Sequence, residues 1–178
     1  MTRRRPEFHS YMHLSKITEK SKDLKEIKAL YQRAFPANER TDFEENIEDN
    51  SASCEAYAFY DHDEFCGFFC LLNDMDITHI TYFAIEESKR GHGYGSQALH
   101  LLQKMKPGRR IIADLELAEE GAPNNSQRNK RKLFYLGNGY QETGIRYRWQ
   151  KEDYEILSQG GPVTGPEFEQ FWVDIETA

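Results

Sequence analysis

Cysteine and long apolar runs are both scarce in this sequence of 178 residues. The three cysteines, Cys54, Cys66 and Cys70, are odd in number and lack metal-ligand spacing, so a disulfide framework or a zinc centre is not expected. Reduced thiols are typical of a cytoplasmic protein. No run of about 18 apolar residues occurs, and no apolar stretch follows the N-terminal arginines. We therefore expect neither a membrane span nor a secretory signal.

Basic residues are in the minority, with 23 Lys and Arg against 30 Asp and Glu and a formal net charge of -7. This balance argues against general nucleic-acid binding, which requires a basic surface that displaces counterions. An acidic cleft would instead concentrate a cationic small molecule or a basic peptide. The length and the 38% hydrophobic content predict a single domain over residues 1–178, with a flexible tail at residues 1–10.

Hydrophobic periodicity predicts an α/β (α+β) protein with a mixed sheet. Helices are predicted at residues 22–35, 39–47, 94–105, 125–136 and after Pro166, and strands at residues 56–60, 65–72, 77–85, 110–117, 140–150 and 154–157. The strand at 77–85, the helix at 94–105 and the strand at 110–117 imply one parallel pair with a right-handed crossover. Residues 151–178 are expected to add a C-terminal strand and helix.

The most informative segment is a glycine turn between a strand and a helix, Arg90-Gly91-His92-Gly93-Tyr94-Gly95. Glycines at alternate positions let the backbone approach a ligand without an obstructing Cβ. The following helix offers unpaired N–H groups and the positive end of its dipole, and Arg90 adds a full charge. A diphosphate is the natural ligand of such a turn.

Two other nucleotide motifs fit this turn less well. A dinucleotide fingerprint would require a third glycine where Ser96 stands. Asp114 lies about 20 residues further on, which keeps a dinucleotide-dependent oxidoreductase as an alternative. A P-loop would need Gly-Lys-Ser/Thr, and this triplet does not occur.

The spacing R-x-x-G-x-G, formed by Arg90, Gly93 and Gly95, resembles the coenzyme A-binding segment of the GNAT superfamily of N-acetyltransferases. Residues 134–140, Phe-Tyr-Leu-Gly-Asn-Gly-Tyr, are similar to the family's F-Y-x-x-x-G-F/Y segment. The resemblance covers roughly residues 56–147. It implies a mixed, mostly antiparallel central sheet flanked by helices, with a parallel strand-helix-strand cofactor unit. It also implies acetyl transfer from acetyl-CoA to a primary amine by direct attack, with no metal.

The resemblance further implies roles for particular residues. The backbone at Phe83, Ala84 and Ile85 would pair with pantetheine and polarise the acetyl carbonyl. Tyr135 would act as the acid that protonates the leaving thiolate. The turn would hold the pyrophosphate through Arg90, Gly91, His92, Gly93, Tyr94, Gly95 and Ser96.

The helix that precedes Tyr135 carries a basic stripe. Arg128, Arg131 and Tyr135 share one helix face by their spacing. The two arginines are predicted to contact the coenzyme's phosphates, with a solvated basic face as the alternative. The family often has an asparagine at the position of Arg128, so this sequence departs from the family pattern there.

The incoming amine must lose a proton before it attacks, and the candidate bases are Glu116 and His79. His79 matches by offset a histidine of arylalkylamine acetyltransferases, and strand alternation would place it on one face with Thr81 and Phe83. A structural histidine is the alternative. Glu116 shares its strand face with Asp114, and a water chain could replace all of them.

The acceptor is expected to be a small amine or a peptide amine, bound near residues 35–43, the hairpin and the C-terminal strands. Neither nucleic acid nor a membrane is expected as a partner, and a homodimer is compatible with the sequence. The alternative within the same fold is a catalytically inactive acyl-CoA-binding regulatory module. Acetyl-CoA binding without thiol release across a panel of amines would favour that module.

Overall fold

The computed structural model describes residues 12–47 and 53–178, so the predicted tail at residues 1–10 lies outside the described residues. Within them the strands are β1 (Met12–Lys16), β2 (Cys54–Asp61), β3 (Glu64–Asp74), β4 (Ile77–Ile85), β5 (Arg110–Glu116), β6 (Gln141–Trp149) and β7 (Glu152–Gln159). The α-helices are α1 (Leu24–Ala34), α2 (Tyr94–Met105), α3 (Asn125–Gly137) and α4 (Gly165–Thr177). No helix in this described part is long and apolar enough to cross a membrane.

The strands form one sheet in the order β1-β2-β3-β4-β5-β7-β6. β4 and β5 pair in parallel, and all the other neighbouring strands pair antiparallel. A parallel pair needs a crossover, which α2 provides because it lies between β4 and β5 in the chain. The predicted mixed, mostly antiparallel sheet is therefore confirmed. β7 and α4 lie where the sequence predicts a C-terminal strand and helix.

Helices cover both faces of the sheet. On one face, Leu99 and Leu102 of α2 and Tyr135 of α3 share an apolar cluster with residues of β3, β4 and β5. On the opposite face, α1 packs through Ile27 and α4 packs through Phe171. β3 is buried along most of its length, and this explains why its sequence is almost continuously apolar rather than alternating.

The helix predicted at residues 39–47 is wrong. Two single-turn 3-10 helices, Ala37–Glu39 and Phe43–Asn46, stand there with extended backbone between them. The Tyr31 hydroxyl lies 3.0 Å from both the N–H and the carbonyl oxygen of Thr41, and it bonds to both. Because Tyr31 satisfies the backbone N–H and carbonyl of Thr41, these groups do not require the hydrogen bonds of an α-helix.

The edge strand β1 is absent from the sequence prediction. Among its five residues only Met12 and Leu14 are apolar, and Met12 alone is buried. An edge strand of this length carries too short a pattern to be distinguished from a loop. Antiparallel pairing with β2, rather than a local apolar pattern, holds β1 in its extended conformation.

A β-bulge interrupts β4 at Thr81. Along the β3–β4 pair, Cys70 lies opposite Tyr82, whereas the next residue, Leu71, lies opposite Ile80. Thr81 is therefore an extra residue without an opposite partner on β3. Such a residue bends the strand and reverses its alternation between the two faces of the sheet.

The bulge corrects the expectation that His79 and Phe83 share a face. The His79 ring contacts Phe171 and Trp172 of α4. Phe83 packs instead against the cluster that α2 and α3 cover. Simple alternation fails here because the extra residue lies between the two positions.

Gly67 of β3 is needed for close packing at the end of β4. A Cβ on Gly67 would lie 2.2 Å from the Ala84 carbonyl oxygen and 2.4 Å from Cζ of Phe59. We expect Gly67→Ala to lower the free energy of unfolding by about 2 kcal/mol, because the backbone and Phe59 must both move. Denaturant unfolding measures this change. Gly165→Ala is the matched control, since a Cβ there meets no atom within 4 Å, and equal stability of the two variants would contradict the prediction.

Candidate functional site

β4 and β5 separate partway along their length. They pair only from Ile77 with Arg110 to Ile80 with Ala113. β4 continues to Ile85 beside β3, and β5 continues beside β7 to its last residue. A gap in the sheet therefore begins at the bulge, and among the described residues no strand pairs with the β5 side of residues 81–85. Unpaired strand edges are templates for an extended ligand.

The predicted pantetheine-binding residues form one wall of this gap. Ala84 is buried in the cluster under α1, and Phe83 and Ile85 are partly buried on the other face. The Phe83 ring stacks on the Phe134 ring of α3, with centroids 6.3 Å apart. The wall is therefore supported on both faces, so its backbone groups are held in fixed positions.

The glycine turn follows β4 and leads into α2. Gly91 and Gly93 have φ values of +77° and +79°, a region that favours glycine. No side chain caps α2, so the N–H groups at its start are available to a ligand. Arg90 is exposed, and its Nε donates to the Ile85 carbonyl at 3.3 Å. The turn combines free N–H groups, a helix N-terminus and an arginine, as an anion site requires.

Gly95 serves a different purpose from the other two glycines. It is buried, and an added Cβ would lie 2.8 Å from Ile85 and 3.0 Å from Phe134. Its absence of a side chain lets α2 approach both β4 and α3 closely. Ser96, the next residue, accepts a bond from the side chain of Asn138 at 3.2 Å. These contacts hold the turn against the end of α3.

The β2–β3 hairpin supports the turn from the other side. The Tyr94 hydroxyl donates to Asp61, and this bond lowers the pKa of the Asp61 carboxyl. Lys89 forms an ion pair with Glu64 at the same end of the hairpin. His92 lies between these two contacts in the chain and is exposed. The turn is therefore anchored on both flanks while its centre faces solvent.

Tyr135 lies near the end of α3 and is only 5% exposed. Its ring packs between Phe134 and Tyr140, at centroid distances of 5.4 and 5.1 Å. Burial raises the pKa of Tyr135, the charge of Arg131 lowers it, and Asp114 raises it again. The phenol is therefore protonated at neutral pH, and the described residues offer its hydroxyl no hydrogen bond. Tyr135 shares its apolar cluster with Phe83 of β4 and Leu115 of β5, the two strands that border the gap.

His79 forms a hydrogen-bonded group with two residues across the sheet. Its Nε2 lies 2.6 Å from one oxygen of Asp114, and Tyr147 donates to the other oxygen. Nδ1 of His79 lies 3.5 Å from the Thr81 hydroxyl. The ring is 3% exposed because Trp172 covers it. Both ring nitrogens have partners, so this histidine is arranged to orient Asp114.

The two arginines of the predicted basic stripe, Arg128 and Arg131, have different surroundings. Arg128 is buried, its Nε lies 2.9 Å from Glu116, and its other nitrogens contact Glu152 and the Leu117 carbonyl. Arg131 is exposed, and the described residues give it no ion pair. The structure therefore brings Arg128 and Glu116 together as a pair. It leaves Arg131 available to a ligand.

Sequence reasoning missed Glu39, which the fold brings to the same region. The Tyr154 hydroxyl donates to its carboxylate at 3.4 Å, and the Tyr82 hydroxyl donates to its carbonyl at 2.6 Å. Burial raises the pKa of Glu39, and the nearby Glu116 raises it further. No local signal marks this residue, because it lies in a polar segment without periodicity. Only its position within residues 35–43, the predicted acceptor region, could have drawn attention to it.

No metal-binding group adds to this arrangement in residues 12–47 and 53–178, where no three His, Cys, Asp or Glu side chains cluster suitably. The site thus consists of an open strand edge, an uncapped helix start, a protonated phenol and a set of carboxylates.

Comparison with solved structures identifies this architecture. A protein from Bacteroides thetaiotaomicron, assigned to the GNAT acetyltransferases, is 19% identical with a TM-score of 0.76, and the match covers 93% of this chain and 96% of that one. The ribosomal-protein-S18-alanine N-acetyltransferase of Escherichia coli is 16% identical with a TM-score of 0.62, over 86% and 96% of the two chains. At these identities the likeness shows a shared fold.

A third structure was solved with acetyl-CoA bound. It is a GNAT acetyltransferase from Elizabethkingia anophelis, 17% identical with a TM-score of 0.56, and the match covers 84% of this chain and 97% of that one. A search of curated proteins found no significant match to this sequence. Residues 24–127 match the model of the Acetyltransferase (GNAT) family, which is more than half of the chain. The chain therefore belongs to the GNAT family of acetyltransferases.

Proposed function

We propose that this protein moves an acetyl group from acetyl-CoA to a primary amine by direct attack. The observation that carries the proposal is the opening between β4 and β5, which lies beside the uncapped start of α2. An extended thioester chain fits an unpaired strand edge, and a diphosphate fits a helix N-terminus. Coenzyme A contains both parts in one molecule. The dinucleotide-dependent oxidoreductase has no support from the family.

The proposal gives each part of acetyl-CoA its own residues. The backbone of Phe83–Ile85 would pair with pantetheine, and the turn from Arg90 to Ser96 would bind the pyrophosphate. Arg131 is free of carboxylate partners in the described chain and would add a positive charge. Arg128 forms ion pairs with Glu116 and Glu152 and donates to the Leu117 carbonyl, so we leave it out of the phosphate contacts.

Tyr135 would act as the general acid. The amine nitrogen forms a bond to the acetyl carbon, the carbon–sulfur bond breaks, and the thiolate takes the phenol proton. Burial keeps Tyr135 protonated at neutral pH, as an acid must be. Backbone N–H groups on β4 would stabilise the developing oxyanion.

The acceptor would reach the gap from the side of α1 and α4. Asp114, Glu116 and Glu39 lie at this end of the sheet, and carboxylates attract a cationic amine. The Escherichia coli relative is named for the alanine of a ribosomal protein, so acceptors in this fold include proteins. We accordingly keep both small amines and peptide amines as the acceptor class.

The activity test follows coenzyme A release with a panel of amines: spermidine, tyramine, kanamycin and a tetrapeptide with a free N-terminus. We expect release with at least one amine, and we expect Tyr135→Phe to lower kcat by about 10²-fold while acetyl-CoA affinity changes little. Tyr140→Phe is the matched control, because its buried hydroxyl has no partner in the described chain. An unchanged kcat in Tyr135→Phe would refute the acid role. Binding without release for every amine would favour the regulatory module.

A second test addresses the turn. Gly93→Ala places a side chain at positive φ and rotates the N–H groups at the start of α2, so we expect acetyl-CoA affinity to fall by about tenfold. Gly108→Ala is the control, because φ is +73° there and a Cβ meets no atom within 4 Å. Calorimetric titration with acetyl-CoA measures both variants. Equal affinities in the two variants would count against the proposed pyrophosphate site.

A further inference from the structure

A short segment crosses the open end of the sheet. We call residues 37–40 the crossing segment. On one side the Tyr82 hydroxyl of β4 donates to the Glu39 carbonyl at 2.6 Å. On the other side Asn38 and Gln150, in the β6–β7 turn, exchange two bonds of 2.6 and 3.1 Å. Because β5 lies between β4 and β7 in the sheet, the crossing segment must pass over the end of β5.

This path places the Glu39 side chain over the gap. Its Oε1 lies 3.4 Å from the Tyr154 hydroxyl of β7. The charged or titratable groups that face it are Glu116 of β5, Tyr154 and Glu152 of β7, and Arg131 of α3. The two carboxylates, Glu116 and Glu152, and burial raise the pKa of Glu39, whereas the Tyr154 hydroxyl and Arg131 lower it. Burial and the two carboxylates prevail, so the surroundings of Glu39 favour the uptake of a positive charge or a proton.

The other carboxylates at this end are already engaged. Glu116 is paired with the buried Arg128 at 2.9 Å. Asp114 is bound by His79 and Tyr147. Glu39 forms no ion pair within the described residues. It is therefore the carboxylate that remains available to an incoming ammonium group.

We infer that Glu39 is the general base that removes the proton from the acceptor amine. The inference rests on the proposed acetyltransferase function and names a residue of that same site. It assigns His79 and Glu116 to positioning roles. His79 orients Asp114 from a buried position, and Glu116 holds Arg128.

The proton transfers balance as follows. The Glu39 carboxylate takes one proton from the ammonium, and the freed lone pair of nitrogen forms the bond to the acetyl carbon. The carbon–sulfur bond breaks, and its electron pair stays on sulfur, which takes the Tyr135 proton. As the amide forms, the nitrogen loses its second proton, which restores Tyr135, and Glu39 releases its own proton to water. The sum is ammonium plus acetyl-CoA giving amide, coenzyme A and one proton.

The base and the acid lie on opposite faces of the sheet. Glu39 contacts Tyr82 and Tyr154, on the face of α1 and α4, whereas Tyr135 belongs to the cluster under α2 and α3. Tyr135 shares a cluster with Phe83 of β4 and Leu115 of β5. Glu39 bonds to Tyr82 of β4 and to Tyr154, the partner of Glu116 at the end of β5. Both residues therefore border the opening between β4 and β5. An amine that enters beside Glu39 would meet a thioester in the gap, with the thiolate leaving toward Tyr135.

The test compares Glu39→Gln, Glu39→Asp and Glu45→Gln, using the panel amine that the wild-type protein acetylates fastest. We expect Glu39→Gln to lower kcat by about 10²-fold, Glu39→Asp to be intermediate, and Glu45→Gln to match wild type. Glu45 is an exposed glutamate in the neighbouring 3-10 helix, so its variant controls for the loss of one charge. Calorimetry should show the same acetyl-CoA affinity in all variants.

The pH profile separates a base from a positioning residue. A base must be ionised, so kcat/KM of the wild type falls as pH drops through the pKa of Glu39. Burial raises that pKa above its ordinary value of 4.5, so the fall begins at a correspondingly higher pH. Glu39→Asp should keep this inflection, and Glu39→Gln should lose it. Glu39 takes its proton from the ammonium, so the wild-type kcat/KM is level between the pKa of Glu39 and that of the amine. Glu39→Gln acts on the free amine, so its kcat/KM rises steadily toward the pKa of the amine.

Two results would overturn the inference and leave the proposed function standing. Full activity of Glu39→Gln with an unchanged pH profile would exclude Glu39 as the base. If Glu116→Gln instead lost the fall of kcat/KM at low pH, the base would be Glu116. The absence of turnover by wild type with every panel amine, despite acetyl-CoA binding, would instead refute the proposed function and this inference with it.

Discussion

One extra residue in β4 determines how the site is built. The bulge at Thr81 bends the strand away from β5, so hydrogen bonding between the two strands ends at Ile80 and Ala113. The same bulge reverses the direction of the side chains that follow. His79 therefore faces α4 while Phe83 faces α3. A regular strand would close the gap and would leave no unpaired backbone for a ligand.

The open end of the sheet must be stiff to be useful, and close packing supplies this stiffness. Gly67 brings β3 against the carbonyl of Ala84, and Gly95 brings α2 against β4 and α3. Phe83 and Phe134 stack between these contacts. The strand edge, the turn and Tyr135 are thus fixed relative to one another by packing, so little reorganisation is needed when a ligand binds.

Local features of the fold can be predicted from the sequence, because turn glycines and helical or alternating periodicity are carried by neighbouring residues. Features that depend on distant contacts cannot. Thr81 sits in an unbroken β-branched and aromatic run, so nothing in the sequence marks it as a bulge. The helix predicted at residues 39–47 does not form because Thr41 bonds to Tyr31, which lies ten residues earlier in the chain. Glu39 gains its environment from β4 and β7, far along the chain.

The arrangement of charge suggests why an acidic protein suits a cationic acceptor. Each carboxylate at the gap other than Glu39 forms an ion pair in the described chain, so under the proposed function an ammonium entering the gap would be drawn toward Glu39. Desolvation in the gap raises the pKa of the carboxylate and lowers that of the ammonium, which narrows the difference between them. Under the proposed function, this desolvation would assist the deprotonation of the ammonium. Burial and Asp114 raise the pKa of Tyr135, and the positive charge of Arg131 acts against both by lowering it.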